Sequence, residues 1–85
     1  MTQHYLKLQR AINNGSIWLF EGSAGRAAVD AIANGECILG RDGHRDYWGN
    51  YVPSRTDVKS GTKGSVLFAR NIQGDSYTRS IQRVK

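Results

Sequence analysis

The chain has few of the residues that build disulfide-linked, metal-bound or membrane-embedded structures. Its 85 residues include one cysteine, one proline and two histidines. A lone Cys37 excludes an internal disulfide and a multi-cysteine zinc site. No apolar run approaches the roughly 18–20 residues that a membrane helix needs. The segment Met1–Tyr5 has no basic patch followed by an apolar stretch, so we expect no signal peptide. These features predict a cytoplasmic protein that does not enter a membrane.

Internal repeats, linkers and low-complexity tails are also missing from the sequence. A chain of this length suffices for one domain and is too short for two. Its apolar content of 39% and mean hydropathy of −0.53 are typical of globular proteins rather than disordered ones. We therefore expect residues 1–85 to form a single small domain.

Positive charge is unevenly distributed along the chain. Residues 1–40 carry three basic and three acidic side chains, whereas residues 41–85 carry nine basic and four acidic ones. The C-terminal half thus holds the whole net charge of +5. Such an asymmetry favours an anionic partner, either a nucleic acid or an acidic protein surface.

The hydrophobic pattern predicts helices mainly in the first half. Apolar side chains at helical spacing predict a first helix that Thr2 caps and that runs to about Asn13. Small side chains predict a second helix over Ala24–Asn34, with Ser23 as its N-cap. The aromatic and β-branched run Ser16–Glu21, between the two helices, is typical of a buried strand.

The second half shows turn signals between short alternating runs. We expect a hairpin around Asp42-Gly43, a second hairpin around Gln73–Asp75 and a polar loop over Ser54–Gly64 between them. The expected fold is α+β, with two short helices packed on a mostly antiparallel sheet of about five strands in the order α-β-α-β-β-β-β. The four C-terminal strands of this prediction are Glu36–Arg41, Arg45–Val52, Ser65–Ile72 and Ser76–Val84.

The segment that begins at Arg41 is the most ligand-like part of the sequence, because basic residues, aromatic residues and glycines alternate there. Arg41 and Arg45 would contact phosphates. Tyr47, Trp48 or Tyr51 would stack on unpaired bases. An ordinary hairpin with a tryptophan anchor would look similar.

A second candidate patch lies near the C-terminus, where Arg79 and Arg83 alternate with apolar side chains, and lysines of the polar loop would extend it. A structural strand with a solvated basic face is the alternative. Together the two patches predict these partner-binding residues: Arg41, His44, Arg45, Tyr47, Trp48, Tyr51, Lys59, Lys63, Arg79 and Arg83.

Signals for catalysis and for cofactors are weaker. The run Glu21–Arg26 lacks the phosphate-binding lysine and the full dinucleotide glycine pattern, so we expect no cofactor. Asp42, His44 and Asp46 alternate and would suit a metal or a general base, but solvent-facing residues around a turn explain them more simply. Cys37 lies in an apolar run, which favours a buried thiol over a nucleophile.

The sequence therefore predicts a non-enzymatic protein that binds an anionic partner, with nucleic acid preferred. The first alternative is an inhibitor of a host protein complex, because small single domains of this kind are common among phage-encoded inhibitors such as anti-CRISPR proteins. A small ribonuclease that uses His44 with Arg41, Arg45 and Tyr47 is the second alternative. A free strand edge would also allow homodimerisation.

Overall fold

A computed structural model describes residues 2–20 and 22–85. These residues form four α-helices, one 3-10 helix and a two-stranded antiparallel sheet. The predicted fold of two helices on a five-stranded sheet is therefore wrong. The elements are α1 (Thr2–Asn14), the 3-10 helix (Ser16–Leu19), α2 (Ser23–Ala33), β1 (His44–Arg45), β2 (Tyr51–Val52), α3 (Val66–Gln73) and α4 (Asp75–Gln82).

The two helices predicted in the first half are confirmed to within about one residue at each end. α1 extends to Asn14, and α2 begins at Ser23, with Gly22 rather than Ser23 at its N-cap position. α2 buries Ala28, Ala31 and Ile32. Their spacing places the small side chains on one face, which allows close packing against α1 and the 3-10 helix.

The predicted strand Ser16–Glu21 is wrong over the residues that the structure describes, and Glu21 itself lies outside them. Gly15 adopts a left-handed φ of +82°, and its carbonyl accepts a hydrogen bond from the N–H of Trp18 at 3.2 Å. The chain thus enters a 3-10 helix that buries only Trp18 of its four residues. A short apolar run does not distinguish a strand from a short helix by periodicity alone.

The predicted C-terminal hairpin is also wrong, because α3 and α4 replace both of its strands. The Ser65 hydroxyl accepts a hydrogen bond from the N–H of Phe68 at 3.2 Å and caps α3. Gly74, at a φ of +91°, ends α3 and immediately precedes α4. In α4 the side chains of Thr78 and Ile81 are buried, which is helical rather than alternating spacing.

The hairpin predicted around Asp42-Gly43 forms instead around residues 46–50. Its register pairs His44 with Val52 and Arg45 with Tyr51. The predicted strand over residues 36–41 has no strand partner, because its backbone bonds to a side chain and to loops. The N–H of Leu39, for example, donates to the carbonyl of Gly64 at 3.1 Å. Residues 53–65 contain neither helix nor strand, in agreement with the predicted loop.

Two apolar clusters form the core. The larger joins α1, α2 and the 3-10 helix, while the smaller joins α3 and α4 to the segment around residue 38. Tyr5 of α1 packs against both clusters and connects them. No helix in the described ranges has the length and hydrophobicity required to cross a bilayer. The larger cluster consists of Ile12, Trp18, Ala28, Ala31, Ile32, Cys37 and Leu39, and the smaller of Ile38, Ala69 and Ile81.

A buried polar network connects α1 to distant parts of the chain. The Gln9 side chain is fully buried and forms a two-bond pair with the backbone of Ile38. Its amide nitrogen donates to the Ile38 carbonyl at 2.9 Å, and its oxygen accepts the Ile38 N–H at 2.8 Å. The same amide nitrogen also donates to Asn13 Oδ1 at 2.9 Å. Gln9 therefore gives the unpaired segment around Ile38 the backbone partners that a neighbouring strand would supply.

Asn13 is the centre of this network, which we call the Asn13 hub. Its Nδ2 donates to the carbonyl of Val84 at 2.9 Å, and its Oδ1 accepts from Arg55 Nη2 at 3.1 Å. Its backbone carbonyl lies 3.2 Å from His44 Nε2. Asn13 thus holds the polar loop and the C-terminal segment through its side chain, and the hairpin through its backbone carbonyl. Among the described residues, every buried side-chain nitrogen and oxygen has a hydrogen-bond partner.

Candidate binding site

A concavity lies between the hairpin turn and the start of α2. We call it the aromatic groove, and its volume is about 460 Å³. At the α2 end of the groove, Gly22 and Gly25 line it with backbone atoms, since glycine has no side chain. Its apolar walls are Trp18, Phe20, Val29, Tyr47 and Trp48.

The hairpin turn that forms one wall of the groove is held by the Asp46 side chain and by the 3-10 helix. One carboxylate oxygen of Asp46 accepts the N–H groups of Trp48 and Asn50 at 2.9 and 2.8 Å. The N–H of Tyr47 donates to the Trp18 carbonyl at 2.7 Å. These bonds fix the position of the turn, so the groove is built before any partner binds.

The apolar walls divide into a buried floor and an exposed rim. Trp18 forms the floor and is 7% exposed, whereas Trp48 is 68% and Phe20 is 60% exposed. Tyr47 packs edge-to-face on Trp48, with ring centroids 4.9 Å apart and an interplanar angle of 86°. Val29 faces solvent from α2. The rim thus leaves four large apolar side chains in water around one concavity, an arrangement typical of an interaction surface.

The groove is close to electrically balanced. Arg26, Asp30 and Asp46 are the ionisable side chains that line it among the described residues. One Asp46 oxygen already accepts two N–H groups of the turn. Arg26 forms no ion pair in the described part of the chain. The excess positive charge of the C-terminal half therefore lies outside this groove.

Arg45 and Tyr51, two of the residues predicted to bind a partner, interact with each other. The Arg45 guanidinium lies 5.7 Å from the centre of the Tyr51 ring and donates to the Gly49 carbonyl at 3.1 Å. The Tyr51 hydroxyl donates to Asp57 at 3.1 Å, and this bond, with a smaller contribution from burial, raises the pKa of Tyr51. The Tyr51 ring also covers Gly43, so a ligand does not reach the backbone there. Both side chains therefore stabilise the hairpin.

His44 is half-buried, and its ring nitrogen Nε2 is engaged by the Asn13 carbonyl. The ring lies against Gly15, where any side chain would collide with it. Among the residues with described positions, no three His, Cys, Asp or Glu side chains come together as metal ligands. Asp42, His44 and Asp46 are not brought together as a cluster. The geometry gives His44 a structural contact in the hub.

The other basic residues among the predicted binding residues separate into three groups. Lys59 and Lys63 are exposed in the polar loop. Arg79 forms an ion pair with Asp75, which also pairs with Arg70, and the Arg79 bond lowers the pKa of Asp75. The third group is Arg41 and Arg83, since Arg41 contacts the backbone at the C-terminal end of α4, one residue before Arg83. Arg41 Nη2 donates to the carbonyl of Gln82, the residue that precedes Arg83.

Eight of the ten residues that line the groove were not among the predicted binding residues: Trp18, Phe20, Gly22, Gly25, Arg26, Val29, Asp30 and Asp46. Phe20 was assigned to a buried strand but is 60% exposed, and the nearest sequence signal for this is Gly22, two positions later, which caps α2. Val29 directly follows the buried Ala28 in α2. A large apolar side chain beside a stripe of small buried ones is a helical position that faces away from the core.

Cys37 is 1% exposed, as its apolar neighbours predicted. Burial, with a smaller effect of the Glu36 charge, raises the pKa of the Cys37 thiol to about 12. The thiol therefore stays protonated at neutral pH, which is the wrong state for a nucleophile.

Comparison of the chain with models of protein families, with curated proteins and with solved structures found no match.

Proposed function

We propose that this protein is a non-enzymatic binding protein whose aromatic groove receives an apolar side chain from the surface of a partner protein. One observation carries the proposal: Phe20, Val29, Tyr47 and Trp48 are all more than half exposed and all line the same concavity. Exposing that much apolar surface around a single groove is unfavourable in water, and binding a partner removes it from solvent.

The chemistry of the groove favours a protein partner. Interface hot spots are enriched in Trp, Tyr and Arg, and they lie at the centre of well-packed pockets. Trp48, Tyr47 and Arg26 provide this combination around the groove. A single-stranded nucleic acid would need a positively charged channel along its backbone. Since Arg26 is opposed by Asp30 and Asp46, the groove lacks such a channel.

The charge of the whole protein narrows the partner further. A net charge of +5 attracts an acidic surface and accelerates its encounter with the protein. We therefore propose an acidic partner protein that presents an apolar anchor, which agrees with the inhibitor of a host protein complex expected from the sequence.

Site-specific photo-crosslinking tests this function. Benzoylphenylalanine placed at Phe20 in the full chain should crosslink one protein from the source cells, which mass spectrometry identifies. The same group at Ile72, which is 52% exposed on α3, is the matched control. Affinity is then measured with the purified partner. Trp48→Ala should weaken binding by at least about 30-fold, the effect of losing a hot spot of about 2 kcal/mol.

The control variant for affinity is Ile72→Ala, which removes an exposed apolar side chain outside the groove. It should leave binding within about two-fold, because isolated exposed side chains contribute little. Equal crosslinking from both positions, or equal loss of affinity in both variants, would remove the groove as the site. Circular dichroism of each variant separates lost binding from lost folding.

A further inference from the structure

The strongest feature that the groove leaves unexplained is a group of guanidinium side chains beside the C-terminal ends of α1 and α4. We call Arg41, Arg55 and Arg83 the arginine cluster. Arg41 and Arg83 are exposed, while Arg55 is half-buried. Arg41 and Arg83 were predicted in two separate hairpins, and Arg55 was not among the predicted binding residues.

Hydrogen bonds place Arg41 beside Arg55 and beside Gln82, the residue that directly precedes Arg83. The N–H of Arg55 donates to the Gly40 carbonyl at 2.9 Å, next to Arg41. Arg41 Nη2 donates to the Gln82 carbonyl at 3.0 Å, next to Arg83. Arg41 is thus the link between the polar loop and the end of α4.

The cluster lacks acidic partners. Both ion pairs in the described part of the chain involve Asp75, and neither includes a member of the cluster. Burial and, to a smaller degree, the nearby charge of Arg41 lower the pKa of Arg55, so the two guanidiniums repel each other. Asp42 follows Arg41 in sequence but does not come within ion-pair distance of it. An anion from outside the chain would relieve this repulsion.

Most of the hydrogen-bonding capacity of the cluster is also unused. A guanidinium has five N–H donors. Arg55 donates from Nε to the Leu39 carbonyl at 2.8 Å and from Nη2 to Asn13, and Arg41 makes one bond to Gln82. Arg83 has no hydrogen bond from its side chain to any described residue. Capping of helix carbonyls explains the single bond of Arg41 but not the position of Arg83.

We propose that the arginine cluster binds phosphate groups of a nucleic acid. The guanidinium fork matches phosphate oxygens in a bidentate manner. Several cations at one surface, without carboxylates between them, suit the regular phosphates of a nucleic-acid backbone. Contacts of this kind position the protein on the backbone and do not read base sequence. This inference is independent of the aromatic groove.

Fluorescence anisotropy with labelled 20-nucleotide single- and double-stranded DNA tests the proposal across a range of salt concentrations. We expect binding at low salt that weakens steadily as salt increases, with a slope set by the number of phosphates contacted. Arg83→Gln should lower the magnitude of that slope by about 1. Its thermal stability should not change, because Arg83 makes no side-chain hydrogen bond to the described residues. Arg41→Gln should lower the slope similarly but also loosen the end of α4.

Lys7→Gln is the control, since it removes one positive charge from an exposed position of α1 that belongs to neither the groove nor the cluster. Its slope should equal that of the unmodified protein. Polyglutamate competes as a carboxylate polymer and should displace the DNA only at much higher charge concentration. Absence of binding at low salt would overturn the proposal, as would equal slopes for Arg83→Gln and the unmodified protein. Polyglutamate competing as well as DNA per charge would assign the cluster to an acidic protein instead, which also contradicts the proposal.

Discussion

The Asn13 hub buries polar side chains, whereas the aromatic groove exposes apolar ones to solvent. In the hub, polar groups are buried, and each finds a partner inside the protein, as Gln9 does on Ile38. In the groove, large apolar groups such as Trp48 remain in water. Buried polar networks that are fully satisfied specify one arrangement of the chain. Exposed apolar surface has no such role in the isolated molecule. Stability and binding therefore depend on different residues and can be varied separately.

The largest expected effect separates the two tryptophans that line the groove. Trp18→Ala should lower the free energy of unfolding by about 3–5 kcal/mol, because it removes a buried indole ring from the larger apolar cluster and leaves a cavity. Trp48→Ala should change it by less than about 0.5 kcal/mol, since its ring is mostly exposed. Urea denaturation followed by circular dichroism measures both. Similar destabilisation by the two variants would mean that the rim is part of the core and would end the distinction.

The next effect concerns the hub. Asn13→Ala should cost about 2–3 kcal/mol, because it leaves the Val84 carbonyl and a donor of Arg55 without their partner in a region of low solvent access. Gln3→Ala, an exposed change in the same helix, is the control and should be close to neutral. Binding through the groove should persist in folded Asn13→Ala. A cost equal to that of the control would show that the hub is dispensable.

The sequence predicts the fold of the first half of the chain better than that of the second half. α1 and α2 were predictable because apolar and small residues recur at helical spacing over more than ten positions. The segment Ser76–Val84 was predicted as a strand because Tyr77, Arg79, Ile81 and Arg83 occupy alternate positions. Tyr77 and Ile81 also lie one helical turn apart, which fits the helix that forms. Eight-residue patterns fit both periods, and tertiary packing decides between them. Here Ser65 and Gly74 were the better signals, as cap and junction of the two helices.

The candidate site shows the same limit. Tyr47 and Trp48 are the two predicted binding residues that line the groove. Their neighbours Phe20 and Val29 are 18 or more positions away along the chain, and only the fold brings them to the same groove. Gln9 and Asn13 carried no sequence signal as hub residues, because a polar residue in a helix is usually solvated. Long-range hydrogen bonds of this kind are properties of the folded chain.

A smaller effect is expected from two glycine substitutions. Gly74→Ala should destabilise the protein by about 1 kcal/mol, because a φ of +91° is unfavourable for alanine at the junction of α3 and α4. Gly25→Ala should stabilise it by about 0.5–1 kcal/mol, since Gly25 lies within α2 and an added Cβ would make only an ordinary contact with the Phe20 carbonyl. Thermal unfolding compares the two. Changes of the same sign would contradict the backbone geometry of one of the two positions.

The smallest effect lies at the end of the hairpin remote from the groove. Asp57 accepts the N–H of Ser54 at 3.2 Å and the hydroxyl of Tyr51, and these bonds, the Ser54 backbone bond foremost, lower the pKa of Asp57. A lowered pKa in the folded state stabilises the protein at pH values above the unfolded pKa of about 3.9, and this contribution is lost as the pH falls through the folded pKa.

Asp57→Asn should therefore be less stable than the unmodified protein at pH 6, with a difference that shrinks below about pH 4. Asp42→Asn is the control, because Asp42 is exposed and forms no described hydrogen bond or ion pair. A difference that stays constant between pH 6 and pH 3 would mean that the charge of the Asp57 carboxylate does not contribute to stability through these bonds.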